Sequence, residues 1–316
     1  MSRDSARRAP VVCLMGPTAT GKTDLALALA ERLPVDIVSV DSAMVYRGMD
    51  VGTAKPSAGV LARVPHRLID VADPAEAYSA ARFRSEAVRE IESIRGRGRI
   101  ALLVGGTMLY FAALQRGLSD LPPADAGVRQ ALAEAAEREG WPALHRRLAA
   151  SDPESAQRIH PNDGQRIQRA LEIHALTGRT RAQQYQRARA PAPWPLLCVA
   201  LVPGERDRLH RRIEERFHAM MAAGFLEEVA GLHARDDLSL QCPALRAVGY
   251  RQLWQHLDGV CSRAQAVERG IIATRQLAKR QMTWLRREAP DIVVDSESRR
   301  RLNSVLNELR RAGLMG

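Results

Sequence analysis

Apolar runs long enough to cross a membrane are missing from these 316 residues. A span needs about eighteen or more consecutive apolar residues, and stretches such as Ile100–Val104 and Leu196–Val202 stop far short of that. The apolar segment of the N-terminal MSRDSARRAPVVCLMG is too short for a secretory signal core, so a cytoplasmic protein is expected. Cysteine is scarce, and Cys13, Cys198, Cys242 and Cys261 show neither a CxxC nor a metal-ligand spacing, so neither a disulfide framework nor a zinc site is indicated. Aromatics make up only 4%, too few for a broad base-stacking platform. Lysine is almost absent as well: of 47 basic residues only Lys22, Lys55 and Lys279 are not arginine. What is present, 46% hydrophobic and 26% charged residues, is the composition of an ordinary globular protein of about two domains. A formal charge of +11 favours a polyanionic partner or serves solubility alone.

The first 116 residues alternate short apolar runs with helical patterns, as a parallel sheet with crossover helices should. Strands are expected at Val11–Met15, Asp36–Val40, Arg67–Val71 and Ile100–Val104, with helices at Asp24–Leu33, Ser79–Arg95 (Ser79 as its cap) and Thr107–Gln115. From Gly117 to about Pro195 the patterns are helical only, broken by Leu121-Pro122-Pro123, Asp152-Pro153 and Pro161–Gly164, and closed by a stiff Pro-rich exit, Ala190–Pro195. A strand at Leu196–Val202 resumes the first pattern. Helices at Arg206–Ala222, Leu226–Ala234 and Arg263–Arg287, a strand at Asp291–Asp295 and a tail helix at Arg300–Ala312 follow. The expected division is an α/β core over 10–116 and 196–298, a helical insertion over 117–195, and a tail over 299–316.

The strongest local signal is Gly16-Pro17-Thr18-Ala19-Thr20-Gly21-Lys22-Thr23, a complete GxxxxGK[ST] between a strand and a helix. Its glycines let backbone N–H groups wrap an anion, the helix start adds positive potential, Lys22 supplies a mobile ammonium, and the Thr23 hydroxyl suits a Mg²⁺ shell. The fold class is therefore α/β, a P-loop NTPase-like parallel-sheet core with an all-helical insertion domain. The loop itself admits ATP, another nucleoside triphosphate, or a simple diphosphate ester. The usual strand ending in a Mg²⁺-holding Asp is not Ile100–Val104, which ends in Gly105-Gly106-Thr107, but Ile37–Asp41. Asp41 thus falls at the carboxyl edge of the sheet, where such sheets bind ligands, as a metal-shell or turn-capping carboxylate or as a general base. Thr107 opens a helix, either as a plain cap or with its hydroxyl in the same crevice.

The wider pattern resembles the tRNA dimethylallyltransferase (tRNA isopentenyltransferase, or IPP transferase) family. The resemblance is carried by GPTATGKT at 16–23, Val40–Asp50 (VDSAMVYRGMD), Gly52–Pro56 (GTAKP), His66–Asp70, Gly105–Tyr110 (GGTMLY), His160–Asp163, Gln165–Glu172, Arg246–Gln252 (RAVGYRQ) and Thr274–Arg286. These blocks run in family order from about residue 10 to 296, and no zinc-finger extension follows Gly316, as expected of the bacterial form. His66-Arg67 stands where the family often has a second histidine, and Met44 fills a variable position.

The resemblance implies transfer of a dimethylallyl group from dimethylallyl diphosphate to the exocyclic amine of the adenosine 3′ of the anticodon, in tRNAs reading codons that begin with U. It implies Mg²⁺ as cofactor, Asp41, Thr107, Lys22 and Arg216 as catalytic residues, and residues 16–23 as the diphosphate site. Arg206, Arg208, Arg211 and Arg212 crowd the same helix as Arg216. The implied contacts with the tRNA anticodon stem-loop are Asp41, Ser42, Ala43, Met44, Thr107 and Arg129, with Gln165, Arg166, Ile167, Gln168 and Arg169 in the insertion. They continue through Ala247, Val248, Gly249, Tyr250, Arg251 and Gln252 and end with Arg280, Gln281, Trp284, Arg286 and Arg287. A monomer without membrane association is expected. Charge supports part of this: Arg158–Arg189 holds seven arginines and two acids, and 269–287 six basic residues and no acid. On the latter helix Arg275, Lys279 and Arg286 share one face and Ile271, Ala278, Met282 and Leu285 another, which suits an RNA backbone or simply a solvated face. Trp284 and Tyr250 are candidates for stacking on displaced bases, or core residues. From the phosphate loop alone, a kinase of small hydroxyl compounds and a nucleotide-switched RNA-binding module remain open.

Overall fold

A computed structural model describes residues 10–119, 121–185 and 191–315. Two compact units are present: one takes in the chain up to Gln115 and again from Ala192, the other Arg116–Pro191. The first is a six-stranded, wholly parallel sheet of β1 (Val11–Met15), β2 (Val35–Val40), β3 (His66–Arg67), β4 (Ile100–Gly105), β5 (Leu196–Val202) and β6 (Ile292–Asp295), ordered β3-β2-β4-β1-β5-β6. Helices cover both faces, so the central strands are continuously apolar rather than alternating. In β1, Val11, Cys13 and Met15 enter one core with Phe83, Ile91 and Phe111. Val12 and Leu14 enter the other, with Leu25 and Leu29 of the Lys22–Ala30 helix. The Arg301–Arg311 helix is no free tail: Val305, Leu306 and Leu309 belong to that second core.

Most expected elements appear within a residue or two. The strand expected at Arg67–Val71 shrinks to His66–Arg67, because Leu68 and Asp70 turn into positive φ (61° and 56°), which takes the chain off the sheet edge. Two short helices, Ala58–Arg63 and Tyr250–Leu257, were not expected. Ser79 caps its helix as expected, accepting the Arg82 amide at 3.1 Å.

The second unit is helical: Ala126–Glu139, Trp141–Ser151, Pro153–Arg158, Gly164–Thr177 and Arg181–Tyr185. Its turn signals act as caps, with Asp152 accepting the Ser155 amide at 3.1 Å and Asp163 the Arg166 amide at 3.2 Å. Leu132, Leu144, Leu148, Ile167 and Ala170 form its own core. Ala190 of the Pro-rich exit, with Arg187 and Arg189 of the arginine-rich stretch, lies outside the described residues.

Candidate active site

At the end of β1 the chain turns sharply, and Gly16 is required there because a β-carbon would lie 2.5 Å from the Leu201 carbonyl oxygen. Ala19 and Gly21 take left-handed conformations (φ 62° and 80°), and the buried Thr20 hydroxyl donates to the Pro17 carbonyl at 2.9 Å. The Thr20 side chain therefore closes the loop on itself, leaving only its backbone for an anion. The Lys22–Ala30 helix starts directly behind, pointing its free N–H groups at the loop. Lys22 Nζ donates to the Pro17 carbonyl at 2.5 Å. Burial, then the nearby Arg216 charge, lowers its pKa to about 7 against the opposing pull of Asp41.

Above the loop runs the Arg206–Ala222 helix. Among its arginines, Arg208 pairs with Glu205 and Glu297, and Arg206 leans on His210 at 3.4 Å. Arg212 and Arg216 instead line the loop's cavity, Arg212 reaching within 3.5 Å of where a β-carbon on Gly21 would stand. Burial holds the Arg216 pKa below the usual guanidinium value, with Asp41 opposing and Arg212 adding to the shift. No ion-pair partner within 4.0 Å is found for Lys22, Arg212 or Arg216 among the described residues. Three basic side chains thus gather around the loop amides, an arrangement that suits a polyanion.

Asp41 follows β2 directly. Its Oδ1 accepts the Ala43 amide at 2.8 Å and the Met44 amide at 3.3 Å, so the turn-capping role is real. It leaves the rest of the carboxylate for other chemistry. β4, lying between β2 and β1, ends at Gly105, where a β-carbon would sit 2.0 Å from the Val40 carbonyl oxygen. The two strands press together here, which brings Thr107 beside the Asp41 turn. The Thr107 backbone holds the helix start, its carbonyl accepting the Tyr110 amide at 2.9 Å. Its hydroxyl reaches across instead, accepting the Ser42 amide at 3.0 Å.

Two cavities meet at this edge. The first, about 1070 Å³, is lined by Lys22, Thr23, Asp24, Arg212, Arg216 and the turn from Asp50 to Ala58. The second, about 490 Å³, is lined by Ser42, Thr107, Phe217, Arg246, Ala247, Val248, Arg280 and Trp284. Thr18, Ala19, Asp41, Gly106, Arg216 and Gln281 line both. Among the described residues no three His, Cys, Asp or Glu side chains gather as a metal cage.

Several expected RNA contacts are engaged otherwise. Tyr250 is fully buried, edge-on to Phe225 at 4.9 Å, with its hydroxyl donating to Glu228 at 2.5 Å, so it is a core residue and no stacking platform. Burial and the Glu228 charge push its pKa up. Glu228 also accepts the amides of Asp50, Val51 and Gly52 at 2.7–3.0 Å, anchoring the turn that walls the first cavity. Gln252 folds back onto the Gly249 amide at 2.8 Å, and Gly249 is a buried, positive-φ residue packed on Phe225. Gln281 bonds the phosphate loop and the Gly106 turn. Arg275 pairs with Glu214 at 2.7 Å, which removes one charge from the expected cationic stripe. Lys279, Arg280, Arg286 and Arg287 are exposed, as is Arg251, and Trp284 is half-buried.

In the helical unit, Ile167 is a core residue, and Arg129 and Arg169 both bond Glu172, itself fully buried. Gln165 and Arg166 are exposed, while Gln168 caps the Arg129 carbonyl at 3.1 Å. Lys55 is structural: its side chain is 3% exposed, and its ammonium bonds the Tyr46 carbonyl, Asp50 and Asp70. Glu228 and the double role of Gln281 were missed in sequence, and Arg212 was not told apart from the other arginines of its helix, because only tertiary neighbours distinguish them.

A family model described as IPP transferase matches residues 44–288, and one described as isopentenyl transferase matches residues 9–76. A tRNA dimethylallyltransferase of Alkalilimnicola ehrlichii is 61% identical over 88% of each chain. The solved tRNA isopentenylpyrophosphate transferase of Bacillus halodurans is 36% identical with a TM-score of 0.71, over 96% of this chain and 97% of its own. A eukaryotic dimethylallyltransferase acting on tRNA is 25% identical with a TM-score of 0.78, over 95% and 78% respectively.

Proposed function

The chain belongs to the IPP transferase family, and we propose that it is a tRNA dimethylallyltransferase acting in the cytoplasm. It transfers the dimethylallyl group of dimethylallyl diphosphate to the exocyclic amine of the adenosine 3′ of the anticodon, in tRNAs reading codons that begin with U, and releases diphosphate. The bond between the allylic carbon and the diphosphate oxygen breaks, its electron pair leaving on oxygen. The amine nitrogen bonds that carbon, and its proton passes to a base.

An adenine amine is a weak nucleophile because its lone pair is delocalised into the ring, so the donor must be activated through its leaving group. Negative charge grows on the departing oxygen as the allylic carbon becomes cationic. Lys22, Arg212, Arg216 and the loop amides meet that charge, and each such contact is worth on the order of 100-fold or more in rate. Asp41 takes the amine proton, and the Thr107 hydroxyl orients the amine. Thr23 with the Asp24 carboxylate would hold Mg²⁺, an oxygen-only set of the kind this ion takes when substrate phosphates complete its shell. When bound, the ion neutralises diphosphate charge.

The target base must leave its stack, at a cost of about a few kcal/mol. Trp284 and Arg280, on the rim of the second cavity, receive it. Exposed Gln165 and Arg166 of the insertion add backbone contacts.

The observation that carries this reading is that Asp41 and Arg216 stand on the wall common to both cavities. A base is thereby shared between an anion site and a second site large enough for a nucleobase. The test is incubation of the protein with dimethylallyl diphosphate, Mg²⁺ and unmodified tRNA, followed by nucleoside analysis. Prenylated adenosine is expected; nucleotide hydrolysis or phosphoryl transfer without it would overturn the reading in favour of a kinase.

A further inference from the structure

Gln281 carries an inference that rests on the dimethylallyl-transfer reading and goes beyond it. Its carboxamide, on the Arg263–Glu288 helix, is buried, with the residue 8% exposed, and both ends are used. Oε1 accepts the Thr18 amide at 2.9 Å, and Nε2 donates to the Gly106 carbonyl at 2.9 Å. Thr18 belongs to the phosphate loop, and Gly106 immediately precedes Thr107. One planar group therefore ties the loop that holds the donor to the turn that carries the acceptor-side hydroxyl. The fit is tight on the far side as well. A β-carbon on Gly106 would stand 2.4 Å from Gln281 Nε2 and 3.2 Å from the Gly16 carbonyl oxygen, so glycine at 106 is what admits the carboxamide.

A tie of this kind acts on distance. Group transfer needs the reacting atoms about 3–3.5 Å apart and aligned, and a displacement of about 1 Å can cost on the order of 100-fold. Each end of the Gln281 carboxamide bonds the protein's own backbone, so its orientation is fixed by the fold before either substrate arrives. We propose that Gln281 is a positioning residue that sets the separation between the phosphate loop and Thr107. Its removal then slows the transfer step with little change in the affinity of either substrate.

Gln281→Leu deletes both bonds at similar volume. Turnover should fall on the order of 10- to 100-fold, with KM for dimethylallyl diphosphate and for tRNA each within about threefold of wild type. Because groups in one hydrogen-bond network are not additive, the same substitution in a Thr107→Ala background should cost no more than about threefold. Gly106→Ala displaces the carboxamide from the opposite side and should reproduce the turnover-selective loss. If Gln281→Leu does not fold, Gln281→Glu decides, since it keeps the acceptor for Thr18 but loses the donor to Gly106. Turnover within twofold of wild type, losses that multiply in full with Thr107→Ala, or a defect confined to tRNA affinity would each overturn the proposal. The last outcome would make Gln281 an RNA contact. A wild-type protein that does not prenylate tRNA would overturn the parent reading, and this one with it.

Discussion

Lys22 should make donor binding depend on pH in a direction its surroundings dictate. Burial and the Arg216 charge lower its pKa to about 7 in the free protein, so at pH 8 only about a tenth of the molecules carry the ammonium. A diphosphate in the loop adds negative charge beside it and restores the ammonium toward its ordinary value near 10.4. Binding at pH 8 should therefore take up about 0.9 proton. Below pH 7 the ammonium is already present and affinity is level. Above pH 7 affinity should fall by up to about tenfold per unit, about 1.4 kcal/mol each.

Folding stability should move the other way. The folded chain binds fewer protons at Lys22 than the unfolded one, so the burial penalty is full below pH 7 and is relieved between pH 7 and about 10. Titration calorimetry with dimethylallyl diphosphate at constant Mg²⁺, in two buffers of different ionisation enthalpy, counts the protons. Working above pH 7.5 avoids the ligand's own last ionisation near pH 6. Lys22→Arg is always charged and should take up none, with a flat profile. Zero uptake by wild type at pH 8, or the same slope in both proteins, would refute the argument.

Asp41→Asn keeps an oxygen to cap the Ala43 and Met44 amides but cannot take a proton. Single-turnover prenylation should drop on the order of 100-fold or more with tRNA affinity within about threefold, and a pure binding defect would count against the base. Tyr250→Phe leaves the Glu228 carboxylate one hydrogen bond short. Urea melts should show a loss of about 1–3 kcal/mol with normal activity per folded molecule, whereas unchanged stability with weakened tRNA binding would restore Tyr250 as a stacking residue. Affinity for tRNA should fall steeply and linearly on a log–log salt plot. Arg286→Ala should make that slope shallower by about one, whereas Arg129→Ala should act mainly through stability, because its guanidinium serves the buried Glu172.

The sheet was legible because strands buried on both faces read as unbroken apolar runs, and because Gly16 and Gly21 punctuate one of them at a fixed spacing. Asp41 and Thr107 were legible as strand-end residues. Their competing roles were not, since the Asp41 carboxylate caps a turn and faces the cavities at once, and the Thr107 hydroxyl leaves its own helix for Ser42. Roles that depend on a distant partner were not legible, even where the residue itself, like Gln281, was expected at the site. Gln281 sits 263 positions from Thr18, Glu228 serves a turn 176–178 positions away, and the arginines of the second unit look free until Glu172 is found beneath them. Charge counting overestimates a cationic surface wherever a buried acid has claimed part of it.

The strand order has a consequence for synthesis of the chain. β1 lies in the middle of the sheet, yet its neighbour β5 begins at Leu196 while β1 ends at Met15. At ribosomal rates of about 5–20 residues per second, the roughly 180 residues between them take on the order of ten to forty seconds to emerge. During that interval the nascent chain presents an unmated apolar edge beside the half-built phosphate loop. The cavity around the loop is thus completed late in the growing polypeptide, once the Arg206–Ala222 helix that carries Arg212 and Arg216 has also emerged.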